Sequence, residues 1–327
     1  MTSYTPLSLG PISSSEAGIP FTVVVPAFNA ARTLASCMAS VLTQTFGDLE
    51  LVVVDDGSTD ATRALATGVE DGRVRVIHQP NRGLPAARNA GTAVARGRVT
   101  CYLDSDDLLL PTYLETVKRA FASDPGVDFV YTDTWTLDDR TRRIRRTTTA
   151  HYGHQPRPGP ATAVELFREL LKRNFMIVPV GVRTEAITAL GMFDESLTAA
   201  EDWEMWLRLA AAGHRAANAL GPLGLRRAHP GQMSSDESNM LENHVRIFEK
   251  ILTEFRLSPD ERTLTEERLE WTRGELEIVR GADPLRSPIR QGRNRLALAR
   301  RRWGLDFAWY KIPPAAVASA FPDLTKV

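Results

Sequence analysis

Three carboxylates fall within four residues at the end of a short apolar run. The stretch RVTCYLDSDDLLLP, residues 98–111, has the composition of a buried strand up to Leu103 and then gives Asp104, Asp106 and Asp107. Like charges at this spacing repel one another, and a cation or a donor-rich ligand among them relieves the repulsion. An Asp-x-Asp pattern at a strand end suits one hard divalent cation, Mg²⁺ or Mn²⁺. Asp107 also fits a solvent-facing carboxylate at the start of the next helix.

Polar residues also follow the first two predicted strands. The first turn contains Pro26 and Phe28 beside the polar Asn29 in VVVPAFNAARTL, and Asp55 and Asp56 leave the second strand in VVVDDGSTDAT. Residues 58–60 follow a glycine turn, which is typical of helix capping. Capping does not explain Asp55 and Asp56, which precede the turn. A carboxylate there can accept a hydrogen bond from a base N–H or a ribose hydroxyl, with Phe28 packed nearby.

A third strand end gives HQPNRGLPAARNAG, which places Arg88 in the first turns of a helix. Its guanidinium could lie in solvent, or it could pair with Asp56 or a ligand phosphate. The sequence has no GxGxxG after the first strand and no GxxxxGK[ST] motif, which argues against a dehydrogenase or a P-loop enzyme.

The sequence around these candidate site residues predicts alternating strands and helices. Continuous β-branched runs predict strands at 21–25, 49–54, 73–78, 98–103 and 127–131, separated by helices near 30–43, 60–68, 84–96 and 111–122. Such runs are typical of parallel strands covered on both faces. They predict an α/β, doubly wound, mostly parallel sheet with helices on both faces, whose functional loops follow the strands.

The rest of the chain has a different pattern. We expect a loop or small irregular insertion over 132–160, a helix near 162–173, a strand near 176–182 and a helix over 202–212. Helical periodicity without strand signals continues at 239–255, 260–280 and 287–303. The predicted organisation is a flexible arm at 1–20, one domain at 21–232 and a helical C-terminal region at 233–327.

The composition limits the class of protein. The 327 residues are 43% hydrophobic and 24% charged, and 40 basic side chains balance 40 acidic ones, so nothing indicates a nucleic-acid partner. Cys37 and Cys101 lie in apolar stretches, as reduced thiols would. Residues 1–20 lack the order of a signal peptide, and no apolar run has the length of a membrane span. We expect a cytoplasmic protein.

The basic and aromatic segment 286–310 leaves two interpretations open. It could contact the inner face of a membrane peripherally, or it could be a solvated helix that packs by its aromatic side, as in a homodimer.

Five segments in this order resemble the signatures of family 2 glycosyltransferases. They are VVVPAFNAARTLASCMASVLTQTF, LELVVVDDGSTDAT, NRGLPAARNAG, CYLDSDDLLLP and EDWEMWLRLAAAG. The resemblance covers about residues 20–232. The resemblance implies a GT-A fold and transfer of a sugar from a nucleotide diphosphate sugar with inversion at the anomeric carbon. It also implies a divalent metal, Mn²⁺ or Mg²⁺, and one carboxylate base.

Matching positions assign roles within this resemblance. The implied nucleotide-binding residues are Pro26, Phe28, Asn29, Asp56 and Arg88, with Asp104 on the ribose or sugar and Asp106 on the metal. Glu201 and Asp202 would supply the base, with Asp202 favoured, although both also fit the start of a helix. In LRRAHPGQMSS, His229 would bind the metal or a phosphate, and Arg226 or Arg227 would neutralise the leaving group.

The predicted function is therefore an inverting glycosyltransferase with a nucleotide sugar donor, expected to be UDP-linked. Its acceptor would be a hydroxyl on a glycan, a lipid-linked molecule or a small molecule. Two alternatives stay open, a nucleotidyltransferase and a non-catalytic nucleotide-sugar binding module.

Overall fold

The structure is a computed structural model that describes residues 21–141, 143–145, 162–229 and 231–281. The arm predicted at 1–20, the helix predicted at 287–303 and the basic segment 286–310 lie outside the described residues. The same holds for most of the second half of the insertion predicted at 132–160.

The described elements alternate between strands and helices up to β5. The strands are β1 (Phe21–Ala27), β2 (Leu49–Asp56), β3 (Val74–Gln79), β4 (Val99–Tyr102), β5 (Leu108–Leu109), β6 (Phe129–Asp138), β7 (Arg143–Arg145), β8 (Val180–Arg183) and β9 (Ala216–Ala228). The helices are α1 (Leu34–Leu42), α2 (Thr62–Thr67), α3 (Leu84–Ala93), α4 (Tyr113–Ser123), α5 (Ala163–Lys172), α6 (Thr184–Ala189), α7 (Glu201–Ala211), α8 (Glu237–Glu254) and α9 (Pro259–Gly281).

The strands form one sheet in the order β3-β2-β1-β4-β8-β6-β9-β5, with β7 paired to β6. The strands β3, β2, β1 and β4 pair in parallel, as their continuous apolar runs predict. Beyond β4 the sheet is mixed, because β8 is antiparallel to both β4 and β6. Two reversals leave β6 pointing the same way as the first four strands. The predicted α/β class is confirmed.

Both faces of the sheet are buried. Val23 and Val25 of β1 pack into an apolar cluster with α1 and α4, whereas Val24 lies in a second cluster with α7 and α8 on the other face. Neighbouring residues of a strand point to opposite faces, so a run of valines serves both clusters. Cys37 and Cys101 are buried and free, as predicted.

The loop predicted over 132–160 is wrong for two segments, 132–138 and 143–145, which are strand. β6 continues to Asp138, with Trp135 and Leu137 packed in a small apolar cluster against β5 and β9. The alternation of threonines with other side chains in TDTWTLD favours a strand, and the polar composition of the segment obscured it.

Sequence reasoning missed β9, whose residues AANALGPLGLRRA contain turn-forming glycine and proline. The pairing of β6 with β9 shifts register on either side of Asp133, which faces Pro222. Gly224 is required because a Cβ there would lie 2.9 Å from Thr134 Cγ2 and 3.1 Å from Pro179 Cδ. This long strand ends at the same side of the sheet as the predicted site.

Helices α8 and α9 pack as an antiparallel pair. Glu249 bonds Arg273 at 2.6 Å, and Glu242 bonds Arg280 at 2.7 Å. Lys250 joins α8 to the sheet domain through Asp194 and Glu204, at 2.6 and 2.7 Å, and apolar residues of α8 enter the cluster that contains α7. The domain boundary at 232/233 stays a prediction. Among the described residues, no helix combines the length and apolarity that crossing a membrane requires.

Candidate active site

One cavity of about 940 Å³ opens where the carboxyl ends of β1, β2 and β4 face α3 and α7. This volume lies in the range of small-molecule sites. All twelve residues predicted for the site line it, namely Pro26, Phe28, Asn29, Asp56, Arg88, Asp104, Asp106, Glu201, Asp202, Arg226, Arg227 and His229. The structure therefore brings the whole predicted set together, and the roles of its members stay predictions.

The turn after β1 presents an aromatic ring to the cavity. Phe28 is 50% exposed, which leaves a face open for stacking. Asn29 has φ 49°, a left-handed conformation that asparagine adopts more readily than most residues. Its side-chain oxygen accepts from the N–H of Thr59 at 2.9 Å, and its own N–H donates to Ser58 Oγ at 3.0 Å. Ser58 and Thr59 therefore hold this turn rather than cap α2, whose cap position is Ala61.

Asp56 is buried at the end of β2 and organises the loop that follows β3. Its Oδ1 accepts from Gln79 Nε2 at 2.7 Å and from the N–H of Arg82 at 3.0 Å, and its Oδ2 accepts from the N–H of Gly83 at 2.9 Å. A carboxylate has about four acceptor positions, so about one is left for a ligand. The pairing of Asp56 with Arg88 that the sequence suggested does not occur.

Arg88 is 2% exposed and forms the floor of the cavity. One guanidinium nitrogen donates to Asp104 Oδ1 at 2.7 Å and the other to Glu201 Oε1, and the group stacks over the Phe193 ring at 5.5 Å. This buried ion cluster is neither a solvated arginine nor a partner of Asp56, and the third sequence interpretation, a contact with a ligand phosphate, stays a prediction. Arg88 instead holds the end of β4 against the start of α7.

The carboxylates after β4 have three different environments. Asp104 bonds Arg88, and Asp106 Oδ2 lies 3.0 Å from Nε2 of His229. Asp107 is 4% exposed and accepts from the N–H of Arg227 at 2.9 Å. The prediction of a solvent-facing Asp107 is therefore wrong, because β5 turns this side chain inward. Burial, reinforced by the neighbouring carboxylates, raises the pKa of both Asp106 and Asp107.

Asp106 and His229 have side chains of the kind that bind a divalent cation. Asp106 Oδ2 and His229 Nε2 lie 3.0 Å apart, which is hydrogen-bond distance, so a cation would replace this contact. A carboxylate oxygen and an imidazole nitrogen are both donors that Mn²⁺ accepts. Within the described ranges, no group of three or more acidic, histidine or cysteine side chains is placed to hold a metal, so the remaining ligands would have to come from substrate and water.

Glu201 and Asp202 have separate environments at the start of α7. Glu201 is 3% exposed and faces Arg88. Asp202 is half-buried and lines the cavity, where its Oδ1 accepts from the N–H of Trp203 at 2.6 Å and from Asn174 Nδ2 at 3.3 Å. Burial raises the pKa of both carboxyls. Of the two, Asp202 has the carboxylate that a ligand in the cavity can reach.

The two arginines near the end of β9 differ in burial. Arg226 is half-buried and donates to Ser234 Oγ at 3.0 Å. Arg227 is 6% exposed and donates to Ser36 Oγ at 3.2 Å. Both guanidinium groups line the same cavity as the acidic cluster, so positive charge faces this side of the cavity.

Sequence reasoning missed the opposite wall of the cavity. Asn174, His244, Arg268 and Trp271 line it, the last three from α8 and α9. Arg268 and Trp271 are three residues apart in RLEW, which places them on one helix face. This spacing was the only sequence signal for the wall. It cannot be linked to the site from the sequence, because the sequence does not show that α9 faces the cavity.

Comparisons with known proteins cover most of this architecture. Residues 22–178 match the model of Glycosyl transferase family 2. The succinoglycan biosynthesis protein ExoO of Rhizobium meliloti (strain 1021) is 37% identical over 202 residues, which are 60% of this chain and 57% of ExoO. The chain thus spans just over half the length of that relative.

Two solved structures share the fold at 19% identity. Residues 1–349 of S. aureus TarS in complex with UDP-GlcNAc superpose with a TM-score of 0.62, over 80% of this chain and 73% of that one. The mannosyltransferase PcManGT from Pyrobaculum calidifontis, in complex with GDP-Man and Mn²⁺, gives a TM-score of 0.55 over 91% and 86%. Residues 22–178 are therefore a glycosyltransferase family 2 segment, and the fold around them is of the GT-A type.

Proposed function

We propose that this protein transfers a sugar from a UDP-linked donor to an acceptor hydroxyl with inversion of the anomeric carbon, in the synthesis of a polysaccharide or glycoconjugate. The proposal rests on the different environments of Glu201 and Asp202 at the start of α7. Arg88 holds Glu201 in the floor, while Asp202 faces the cavity that Phe28, Asp56 and Asp106 also line. The name of ExoO, a succinoglycan biosynthesis protein, supports a role in polysaccharide synthesis, and the UDP-GlcNAc bound to TarS supports a UDP-linked donor.

The donor half of the cavity has groups for each part of a nucleotide sugar. Phe28 offers a ring face to the base, and Asp56 keeps an acceptor position for a base N–H or a ribose hydroxyl. Arg226 and Arg227 offer cationic donors to the two phosphates.

Asp202 is the base in this proposal. A carboxylate oxygen takes the proton of the acceptor hydroxyl as that oxygen attacks the anomeric carbon. The attack comes from the face opposite the diphosphate, so the new glycosidic bond forms with inversion as the bond to the diphosphate breaks. Asn174 and the N–H of Trp203 both bind Oδ1 and fix the orientation of the carboxyl group.

Asp106 and His229 would hold the divalent cation, which supplies charge neutralisation to the departing diphosphate. Replacing Asp106 by Asn should weaken UDP binding in the presence of Mn²⁺, since the amide loses the anionic ligand. The fold should be retained, because the substitution removes one of two neighbouring negative charges, Asp106 and Asp107, that repel each other. Calorimetric titration of UDP with Mn²⁺ or with EDTA checks this. Equal affinity for wild type under both conditions would show that the metal assignment is wrong.

Asp56 should contribute to nucleotide affinity and not to acceptor affinity. Asp56→Asn replaces a charged acceptor by a neutral one and should raise the Kd for UDP about tenfold or more, the value of one charge-assisted hydrogen bond. The same titration measures it, with Asp71→Asn as a control because Asp71 pairs with Arg73 away from the cavity. An unchanged Kd for UDP with a raised acceptor KM would contradict the assignment.

The product distinguishes this function from its alternatives. Incubation with UDP-sugars, Mn²⁺ and an acceptor mixture should release UDP, detected with a coupled assay. Release of pyrophosphate would instead indicate a nucleotidyltransferase. Binding of UDP-sugars with no turnover under any acceptor condition would indicate a binding module.

A further inference from the structure

The cavity has a second wall whose residues are not among those proposed to bind the donor. It consists of Met240, Leu241 and His244 of α8 and Arg268 and Trp271 of α9. All five residues lie outside the segment 22–178 that matches the family model. His244 contacts the Trp203 ring with centroids 4.8 Å apart, and Trp203 directly follows Asp202. This wall therefore adjoins the proposed base, where an acceptor must lie.

The guanidinium of Arg268 carries a positive charge that no described carboxylate pairs with. Its guanidinium stacks on Trp271 at 4.7 Å and on Phe248 at 5.8 Å, and its Nε is buried without a hydrogen-bond partner. Within the part of the chain that the structure describes, no carboxylate lies within ion-pairing distance of it. Burial alone lowers the pKa of Arg268, to about 10, so the group stays charged near neutral pH.

The residues around Arg268 in this wall carry no charge near neutral pH. Burial and the adjacent Arg268 lower the pKa of His244 to about 4, so His244 is neutral near pH 7 and can exchange hydrogen bonds with hydroxyls. Trp271 is 45% exposed, which leaves part of its indole open. An aromatic face beside a hydrogen-bonding imidazole is suited to a sugar ring.

We infer that this wall binds an acceptor sugar or polyol that carries an anionic group, a carboxylate or a phosphate, with Arg268 on the anion and Trp271 against the ring. The inference rests on the proposed function, because it needs a second substrate near Asp202.

Energetics favour an anion at this place. Arg268 is half-buried, and its unpaired charge is partly desolvated in the free protein. The stacked guanidinium keeps in-plane N–H groups for an incoming oxyanion. Arg268 therefore contributes to ligand binding and not to the stability of the free protein. A neutral acceptor would leave the charge uncompensated, so the wall discriminates as well as binds.

Matched probe pairs test the inference on the full chain without nucleotide. Ligand-observed NMR titrations would compare methyl β-D-glucuronide with methyl β-D-glucoside, and D-glucose 6-phosphate with D-glucose. We expect at least one anionic probe to bind about tenfold or more tightly than its neutral counterpart, as for a charge-assisted hydrogen bond. The two pairs distinguish a carboxylate from a phosphate.

Variants locate the preference. The preference for the anionic probe should disappear in Arg268→Gln. It should persist in Arg226→Gln, which removes a cation from the donor side of the cavity. It should also persist in Arg262→Gln, because Arg262 is an exposed α9 residue paired with Glu266 at 3.9 Å. Arg268→Met should leave the melting temperature unchanged or raised, because it removes an unpaired charge and keeps the apolar stem. A lowered melting temperature together with an unchanged anion preference would assign Arg268 a structural role and overturn the inference.

Parallel titration with UDP and Mn²⁺ separates this inference from the proposed function. UDP binding without any anion preference would overturn the acceptor subsite and leave the donor site standing. Anion binding that depends on Arg268, with no UDP binding under any divalent cation, would retain the subsite and contradict the proposed function.

Discussion

Asp202→Asn should lower turnover by about 10²-fold or more, since a positioned base contributes about 10²–10⁴-fold in rate. Asparagine keeps the shape and an oxygen that can accept from Trp203 and Asn174, but it cannot take a proton. The melting temperature and the Kd for UDP should therefore stay near the wild-type values. Steady-state kinetics, a melting curve and a UDP titration on the same preparation provide the test.

Glu201→Gln is the matched control one residue away. Glu201 is buried against Arg88, whereas Asp202 faces the cavity. The glutamine should reduce turnover less than Asp202→Asn does, and it should lower the melting temperature, because it leaves Arg88 with Asp104 alone. A large loss of turnover in Glu201→Gln with near-normal Asp202→Asn would assign the base to Glu201.

The pH profile gives a second test of Asp202. Burial raises its pKa, and a base must be ionised to act, so kcat/KM should fall as pH decreases through that raised pKa. The acidic limb should therefore lie above the pH expected of an ordinary aspartate. It should vanish in Asp202→Asn, whose residual activity has no carboxylate to titrate at this position. A limb that persists unchanged in the variant would belong to another group.

The sequence was sufficient to predict which residues meet. Asp56 and Asp106 come from different strands more than forty residues apart, yet both follow buried apolar runs. Parallel strands bring their carboxyl ends to one edge, so a list of strand ends is enough to predict that Phe28, Asp56 and Asp106 meet. Regular hydrophobic patterning carries this information, and nothing about side-chain orientation is needed. Arg226, Arg227 and His229 were assigned only through the family resemblance, because sequence reasoning missed β9.

Orientation and non-local packing could not be predicted. The sequence places Arg88 at a helix start but cannot show that Glu201, 113 positions later, lies within bonding distance. Asp107 has the pattern of an exposed helix start, and only the pairing of β5 with β9 buries it. Arg268 lies on a helix whose facing partner depends on how α8 and α9 dock. In each case the deciding contact is distant in sequence and has no local signal.

Arg88→Met should lower the free energy of unfolding by about 3–5 kcal/mol, the range for removing one partner of a buried ion pair. The methionine fills much of the volume but leaves Glu201 buried without its cation. The loss should be larger at pH 8 than at pH 5, because protonation of Glu201 at low pH removes the uncompensated charge. Urea unfolding at the two pH values, followed by circular dichroism, measures both effects.

Arg82→Met is the control for this prediction. Arg82 pairs with Glu195 at 2.7 Å, but its side chain is 60% exposed, and exposed pairs contribute about 0–1 kcal/mol. Its replacement should leave the unfolding midpoint almost unchanged at both pH values. If Arg88→Met instead kept wild-type stability and lost only UDP affinity, Arg88 would contact the nucleotide directly, as the family resemblance implies. A loss of stability that depends on pH would establish it as the cation that holds β4 against α7.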